Sequence, residues 1–149
     1  MDKIYGIFPA SSGPYIFTWA FSVVLIAAIA LLVFISYSAR HATFTVTDDA
    51  LRIHASFYGR TIPLSKIVTD GVKVIDLNID SEYKPRTRTN GIGLPGYAEG
   101  WFRLADKEKA LLFVTERSRV VYIPTTDNYS VLLSVREAEE FAGFLRQGD

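Results

Sequence analysis

The sequence predicts a mainly β (α+β) protein, in which an apolar helix precedes a small β-barrel that is closed by a C-terminal helix. Three observations predict this order. Residues 16–37 carry no charge, short alternating segments follow between residues 44 and 134, and an amphipathic pattern ends the chain. Several short strands separated by polar turns are typical of a barrel or a sandwich. One amphipathic helix after such strands can plug the open end.

Composition limits the functional classes. The chain has 16 basic and 16 acidic residues, a balance that gives no support for nucleic-acid binding, which needs a basic excess. It has no cysteine, which excludes disulfides, thiolate zinc sites and a cysteine nucleophile. Its length suits one globular domain. Aromatic residues make up 13% of the chain and the mean hydropathy is positive. Both values are unusual for a purely soluble small domain.

The apolar residues concentrate in "IFTWAFSVVLIAAIALLVFISY", from Ile16 to Tyr37. A helix of this length spans the hydrocarbon core of a bilayer, roughly 30 Å thick. Tyr15, Trp19 and Tyr37 lie near its ends, where amphipathic rings favour the membrane interface. The alternatives are a buried core helix and a cleaved signal peptide, and the length of the run argues against both. We predict a single transmembrane helix over residues 16–38, after an N-terminal tail of residues 1–15, and therefore a cell-membrane protein.

The membrane side of the domain, residues 41–149, follows from few charges. Arg40 directly follows the apolar run, whereas Lys3 lies further from its other end. Because lysine and arginine near the ends of a span favour the cytoplasmic side, the sequence favours a cytoplasmic domain.

The domain begins with alternating strands. One face holds Leu51, Ile53, Ala55 and Phe57, and the other holds Arg52, His54, Ser56 and Tyr58. A period of two predicts a strand with one buried face. Asp48-Asp49 and Tyr58-Gly59 mark hairpin turns. Further strands are predicted at "VKVIDLNI", "WFRLA", "ALLFVT", "VVYIP" and "YSVLLS", with "DKEK" and "ERSR" as turns.

The chain ends in a predicted helix over residues 135–147. Ser134 and Glu137 have the spacing of a capping box, in which each side chain satisfies a free amide at the start of a helix. An apolar stripe follows at helical spacing, and Gly148 lies where the helix would stop. The stripe consists of Ala138, Phe141, Ala142 and Leu145.

The segment "RTNGIGLPGYAEGWF" contains the G-x-G-x-x-G spacing of a dinucleotide-binding loop, at Gly91, Gly93 and Gly96. That loop needs a strand before the glycines and a helix after them. Here a polar segment with Pro85 precedes them, and only "YAE" separates Gly96 from Gly100. No cofactor is therefore predicted.

These glycines instead predict turns in a long loop, residues 78–102. The predicted turn positions are Gly91, Gly93, Pro95, Gly96 and Gly100. Loops longer than about 12–15 residues are usually functional or disordered. The aromatic residues Tyr83, Tyr97 and Trp101 favour packing over disorder.

Basic residues in this loop predict a contact surface. Lys84, Arg86 and Arg88 alternate, so in an extended segment all three would point the same way towards phosphates or anionic lipid. The alternative is a solvated edge whose charges pair with Asp80 and Glu82. The residues predicted to contact a ligand or partner are Lys84, Arg86, Arg88, Asn90, Tyr97 and Trp101.

No metal site or catalytic constellation is predicted. His41 and His54 are separated and lack a carboxylate cluster. Asp76, Asp80 and Glu82 lack the glycine and terminal glutamate of a calcium loop. Because no nucleophile and base have a recognisable spacing, we expect a protein that is not an enzyme.

The order of these features resembles the bacterial pleckstrin-homology-like (PH-like) domains found in membrane-anchored proteins of uncharacterised function. The segments "LRIHASFYGRTIPLSKI", "RTNGIGLPGYAEGWF" and "VVYIP" carry the resemblance, which covers residues 45–147. It implies a bent, partly open barrel capped by the last helix. It implies little about activity, because the fold hosts many roles. Eukaryotic relatives often bind inositol phosphates, but no phosphate-binding motif of theirs matches here.

The sequence therefore predicts a membrane-tethered, non-enzymatic binding or scaffold module. Its 78–102 loop would contact a protein partner or an anionic lipid. The alternatives are an extracytoplasmic sensor domain, an unrecognised enzyme that uses the loop as a lid, and a structural chain that assembles through its span.

Overall fold

The computed structural model describes residues 5–6, 8, 13–55 and 57–147. Two units divide the chain, residues 1–37 and 38–149. Two α-helices are described, α1 (Gly13–His41) and α2 (Ala138–Arg146). The strands between them are β1 (Thr43–Val46), β2 (Ala50–His54), β3 (Arg60–Pro63), β4 (Lys73–Ile75), β5 (Pro85–Leu94), β6 (Tyr97–Leu104), β7 (Lys109–Val114), β8 (Val120–Pro124) and β9 (Ser130–Leu133). The prediction of a mainly β fold between an apolar helix and a C-terminal helix is confirmed.

Helix α1 is long and apolar enough to cross a membrane between Tyr15 and Tyr37. Its large apolar side chains are exposed, as they would be in a helix that faces lipid. The hydroxyls of Ser22 and Ser36 donate to the carbonyls of Thr18 and Leu32, one turn earlier, each at 2.9 Å. This bonding satisfies polar groups within the helix itself, which an apolar solvent requires.

The strands form two sheets. Strands β1, β2 and β3 pair in chain order as antiparallel hairpins. The other sheet has the order β4-β8-β9-β7-β6-β5. Its pairs are antiparallel except β7 and β9, which run parallel. Strands β4 and β5 are therefore its two edges, and residues 76–84 connect them.

Both faces of the six-stranded sheet are buried, which explains why its central strands are almost continuously apolar. In β7, Leu111 and Phe113 face the three-stranded sheet and α2, where the larger core cluster lies. Ala110, Leu112 and Val114 face the opposite side. Leu77 and Tyr83, from the connection between the edge strands, pack in the cluster on that side. The connection therefore covers the outer face of the sheet.

The long loop predicted over residues 78–102 is wrong. Residues 85–94 and 97–104 form a β-hairpin, β5–β6, with Pro95 and Gly96 at its turn. No sequence pattern predicted strand β5, because it is an edge strand with mostly exposed side chains. An edge strand has no need of the apolar alternation that marks a half-buried strand.

The predicted capping box is also wrong. Helix α2 begins at Ala138, with Glu137 at its N-cap and no capping bond from a side chain. The Ser134 hydroxyl instead accepts hydrogen bonds from the amides of Thr115 and Glu116, each at 3.1 Å, and donates to the Glu116 carbonyl at 2.7 Å. Ser134 thus holds the β7–β8 connection rather than the helix.

Smaller differences concern strand ends. Leu51 and Ile53 are buried as predicted, but Phe57 is exposed because β2 ends at His54 and the chain turns. The strand predicted at "VKVIDLNI" is only β4, Lys73–Ile75. Ser56, the predicted helix stop at Gly148 and the charges of Asp2 and Lys3 lie outside the described residues.

Candidate functional site

The β5–β6 hairpin carries most of the residues predicted to form a contact surface. Residues 98–103 of β6 are paired with both β5 and β7, whereas the outer edge of β5 borders no other strand of the described sheet. The pairing of β5 with β6 shifts twice, leaving Arg86 and Thr89 as extra residues in bulges. Bulges twist an edge strand and interrupt its alternation.

Strand β5 interrupts the predicted row of Lys84, Arg86 and Arg88, because it begins after Lys84 and has its first bulge at Arg86. Lys84 precedes the strand, and its ammonium donates to the carbonyl of Asn78 at 2.9 Å. Arg86 lies in the first bulge. Arg88 is opposite Phe102, and its Cδ lies 4.0 Å from where a Cβ of Gly93 would be. Arg86 and Arg88 remain exposed on the edge.

Basic side chains other than the predicted ones lie around Trp101. The Lys109 ammonium lies 4.3 Å from the centroid of its ring, and the Arg60 guanidinium carbon lies 4.9 Å from it. Tyr129 packs edge-on against the indole, with ring centroids 5.2 Å apart. Cations over an aromatic face are attracted by its quadrupole. Two strands, β3 and β7, thus place cations on one tryptophan of β6.

Arg103 extends this group. It is opposite Lys109 in the β6–β7 pairing and two residues from Trp101, so all three side chains share one face of the sheet. We call Arg60, Trp101, Arg103, Lys109 and Tyr129 the basic–aromatic cluster. In the described part of the chain, none of its cations has a carboxylate within 4.0 Å.

Other lysines of the domain have partners. Lys66 forms an ion pair with Asp127 at 2.8 Å, and the hydrogen bond from its ammonium to that carboxylate raises the pKa of Lys66. Lys73 donates to the Tyr83 hydroxyl at 2.6 Å, and this bond raises the pKa of Lys73. Unlike Lys66, the cations of the basic–aromatic cluster have no carboxylate partner in the described residues, and Arg103 donates to the Lys107 carbonyl at 3.1 Å. Their charge is therefore available to an external anion.

The connection over the outer face is held by its own polar groups. The Asp80 carboxylate accepts from the amide of Asp76, and the Asp76 carboxylate accepts from the amide of Asn78, each at 2.8 Å. Both acids therefore serve backbone bonding. Among the described residues, no group of three or more histidines, cysteines or acids could hold a metal ion.

Tyr122 anchors the same face. Its hydroxyl donates to the carboxylate of Glu108, at 2.9 Å to the nearer oxygen. Burial, and then this hydrogen bond, raise the pKa of Tyr122 well above its ordinary value. Tyr83 packs on Tyr122 with ring centroids 4.8 Å apart, and Lys73 lies over both rings. These contacts fix the connection on the sheet.

Asn90 and Tyr97, also predicted as contact residues, have internal partners. The side-chain amide oxygen of Asn90, Oδ1, accepts a hydrogen bond from the Tyr58 hydroxyl at 3.0 Å. This bond joins the hairpin to the β2–β3 turn. The Tyr97 hydroxyl donates to the carboxylate of Glu99, which is buried. The other oxygen of Glu99 has no donor among the described residues. Both predicted residues thus help to hold the hairpin in place.

The G-x-G-x-x-G spacing falls on paired strands. Gly91 and Gly93 lie in β5 and Gly96 lies in the turn, so a strand follows the glycines where a dinucleotide loop would have a helix. Gly91 is opposite Gly100, and the backbones of the two strands approach closely there. The spacing therefore reflects the packing of a hairpin.

Several residues of this region could not be predicted from the sequence. Arg60, Lys109 and Tyr129 come from other strands and turns, and only the tertiary fold brings them to Trp101 and Arg103 of β6. Glu99, by contrast, could have been recognised from the sequence, because it lies on the same face of β6 as Tyr97 and Trp101, between two aromatic residues.

Comparison with known proteins gives one match. The family model described as bacterial PH domain matches residues 42–148. No curated protein matches the chain, and no solved structure matches it.

Proposed function

This chain belongs to the bacterial PH domain family, and on that premise we propose that it is a membrane-tethered, non-enzymatic binding module that contacts anionic lipid headgroups. PH domains generally bind lipids or proteins and are not catalysts. The apolar helix α1 would supply the tether, and the β5–β6 hairpin with the basic–aromatic cluster would supply the contact surface.

The observation that carries the proposal is that the cations around Trp101 have no carboxylate partner among the described residues. Arg60 and Lys109 lie on the indole, and Arg103 lies beside Lys109, without a carboxylate within 4.0 Å in the described residues. Each lysine or arginine near an anionic membrane surface is worth about 1 kcal/mol. An indole surrounded by cations also suits the membrane interface, where tryptophan is enriched.

The exposed Arg86 and Arg88 support the same proposal from the edge of the hairpin. A protein partner that added a strand to β5 would have to accommodate Pro85, these two arginines and two bulges. Such features generally prevent edge-to-edge pairing. Strand β5 therefore suits contact with a diffuse anionic surface better than pairing with a strand.

The test uses the full chain in nanodiscs, with Trp19→Phe leaving Trp101 as the only tryptophan reporter. We expect the emission of Trp101 to shift when phosphatidylglycerol is added to phosphatidylcholine discs. The shift should fade as salt is raised to about 0.5 M, because salt screens exposed charges. It should vanish in Arg103→Gln/Lys109→Gln and persist in Arg119→Gln, an exposed arginine on the β7–β8 connection. Equal shifts in all variants would contradict the proposed surface.

The membrane side separates this proposal from the sensor alternative. The chain has no cysteine, so Glu139→Cys on α2 introduces a single thiol. If the domain faces the cytoplasm, a membrane-impermeant reagent labels the thiol only after lysis. Labelling in intact cells would favour an extracytoplasmic domain.

A further inference from the structure

A second surface lies between strand β1 and helix α2, away from the basic–aromatic cluster. Here a groove of about 480 Å³ is bordered by Phe44 and Val46 of β1 and by Phe141 and Phe144 of α2. Val135 also lines it, and Glu137 and Glu140 are its polar lining residues. Phe144 lies outside the buried stripe of α2 and is 55% exposed, so its ring is open to solvent beside the groove.

Strand β1 borders the groove with a free edge. The two sheets have four edge strands in the described residues, β1, β3, β4 and β5. Edge strands are usually protected from pairing by charge or proline. Protection of this kind is present in β3 (Arg60 and Pro63), β4 (Lys73) and β5 (Pro85, Arg86 and Arg88). The sequence of β1, Thr-Phe-Thr-Val, has neither.

The geometry of the edge suits an added strand. In β1, Phe44 and Val46 face the groove and Thr43 and Thr45 are exposed, as alternation requires. An extended segment that paired with β1 would place every second side chain into the same groove, against α2. Backbone hydrogen bonds would then provide affinity, and the groove would select alternate apolar side chains.

The charge of the groove indicates the chemistry of the occupant. Its lining is apolar apart from Glu137 and Glu140, and neither carboxylate has a cation within 4.0 Å in the described part of the domain. Both stand in or beside the first turn of α2, where the helix dipole favours acids. Glu139 shares that turn but does not line the groove. It lines a second pocket with Arg119 and Arg136, which Glu137 and Glu140 also border. Charge reversal at Glu139 and at Glu140 should disturb the helix dipole similarly, but only Glu140 lines the groove. Comparing the two variants therefore separates an effect on the helix from an effect on binding.

We propose that the β1–α2 groove binds an extended segment of a partner protein that alternates apolar residues and carries lysine or arginine, by adding it as a strand to β1. This site is independent of the lipid contact proposed above, since it uses the opposite edge of the three-stranded sheet. The domain would thus hold a protein on one side and anionic lipid on another.

The first test is selection of random twelve-residue peptides on the full chain in detergent micelles. We expect enriched peptides to carry apolar residues at alternate positions and at least two lysines or arginines. Enrichment of acidic peptides, or no enrichment, would overturn the proposal.

The second test asks where the enriched peptide binds. Its affinity should fall about tenfold or more in Glu140→Lys, which reverses a groove charge, and stay within about twofold in Glu139→Lys. Phe144→Ser should also weaken binding, and it is expected to leave the fold intact because the ring is largely exposed. Circular dichroism and thermal unfolding check that each variant is folded. Equal loss in Glu139→Lys and Glu140→Lys, or no loss in Phe144→Ser, would place the peptide elsewhere and overturn the proposal.

The third test concerns strand pairing. An added strand directs every second amide to its neighbour, so methylating alternate amide nitrogens should abolish binding in one register and preserve it in the other. Binding that survives methylation in both registers would show that β1 does not pair with the peptide.

Discussion

Gly100 is the residue at which the hairpin depends most directly on the absence of a side chain. Its φ is +106°, a region that other residues rarely adopt, and a Cβ there would lie 2.6 Å from the Asn90 carbonyl oxygen and from Gly91 Cα. The overlap is with backbone of the neighbouring strand, so no side-chain rotation relieves it. Gly100 therefore allows β5 and β6 to approach.

We expect Gly100→Ala to destabilise the domain by about 1–3 kcal/mol or more, through backbone strain and overlap with β5. Gly143→Ala is the matched control. Gly143 lies within α2 with nothing within 4 Å of the added Cβ, so alanine should stabilise by roughly 0.5–1 kcal/mol through its helix propensity. Equilibrium denaturation measures both, and a neutral Gly100→Ala would refute the close approach.

The Glu116 carboxylate, together with Ser134, holds the β7–β8 connection. Glu116 accepts from the Ser118 amide, the Ser118 hydroxyl and the Arg117 amide, at 2.8 to 3.0 Å. These bonds, the Ser118 amide first, hold the pKa of Glu116 below its ordinary value of 4.5. Because the folded-state pKa is lowered, the ionised carboxylate stabilises the fold above pH 4.5. That contribution is lost as the pH falls through the folded-state pKa.

Glu116→Gln should accordingly lower the free energy of unfolding at pH 7 and flatten its decline between about pH 5 and pH 3. Ser118→Ala, which removes only the hydroxyl donor, should have a smaller effect of the same sign. Denaturant titrations across this pH range measure both. An unchanged slope in Glu116→Gln would mean that the carboxylate contributes nothing to acid sensitivity.

At the scale of elements, Ser134 shows how one residue type can serve either of two structures. The S-x-x-E spacing predicts a helix cap, but the serine lies before the helix and bonds the chain between β7 and β8. The parallel pairing of β9 with β7 brings it there, with the Ser134 amide bonded to the Phe113 carbonyl at 2.9 Å. A long-range contact thus overrode a local motif.

Ser134→Ala should therefore cost about 0.5–1.5 kcal/mol, since it removes the acceptor of two exposed amides that water can solvate. Glu137→Ala should change stability by less than about 0.5 kcal/mol, as is usual for an exposed side chain without partners. A capping box would give similar losses in both variants. Thermal unfolding of the two variants decides between these outcomes.

The edge strands β5 and β1, which border the two candidate sites, differ in length, regularity and charge. Strand β5 is long, bulged and basic, whereas β1 is short, regular and uncharged. This contrast is the reason for assigning a charged surface to the first and strand addition to the second.

At the scale of the whole molecule, a membrane-spanning role for α1 predicts sensitivity to charge at its centre. Ile26→Arg should reduce membrane insertion, because arginine at the middle of a span costs about 2.5–3.5 kcal/mol. Ile26→Leu keeps the residue apolar and should insert as the natural chain does. The alkali-resistant membrane fraction measures insertion. Full retention of Ile26→Arg in that fraction would argue against a span centred there.

The sequence by itself determined the parts of this protein that depend on local pattern. The uncharged run from Ile16 to Tyr37 predicts α1, and alternation predicts the buried Leu51 and Ile53 of β2. The apolar segments of β7, β8 and β9, with polar turns between them, also follow from composition. Each of these patterns records whether a residue meets water, and neighbours in the chain suffice to display it.

The tertiary structure alone decided what depends on distant contacts. It showed that β5 is a strand, because an exposed edge has no apolar period to reveal it. It brought Arg60 and Tyr129 to Trp101, and Phe44 of β1 to the same groove as Phe144 of α2. Such groups come from segments far apart in the chain. Only the order of the strands and the position of the last helix bring them together.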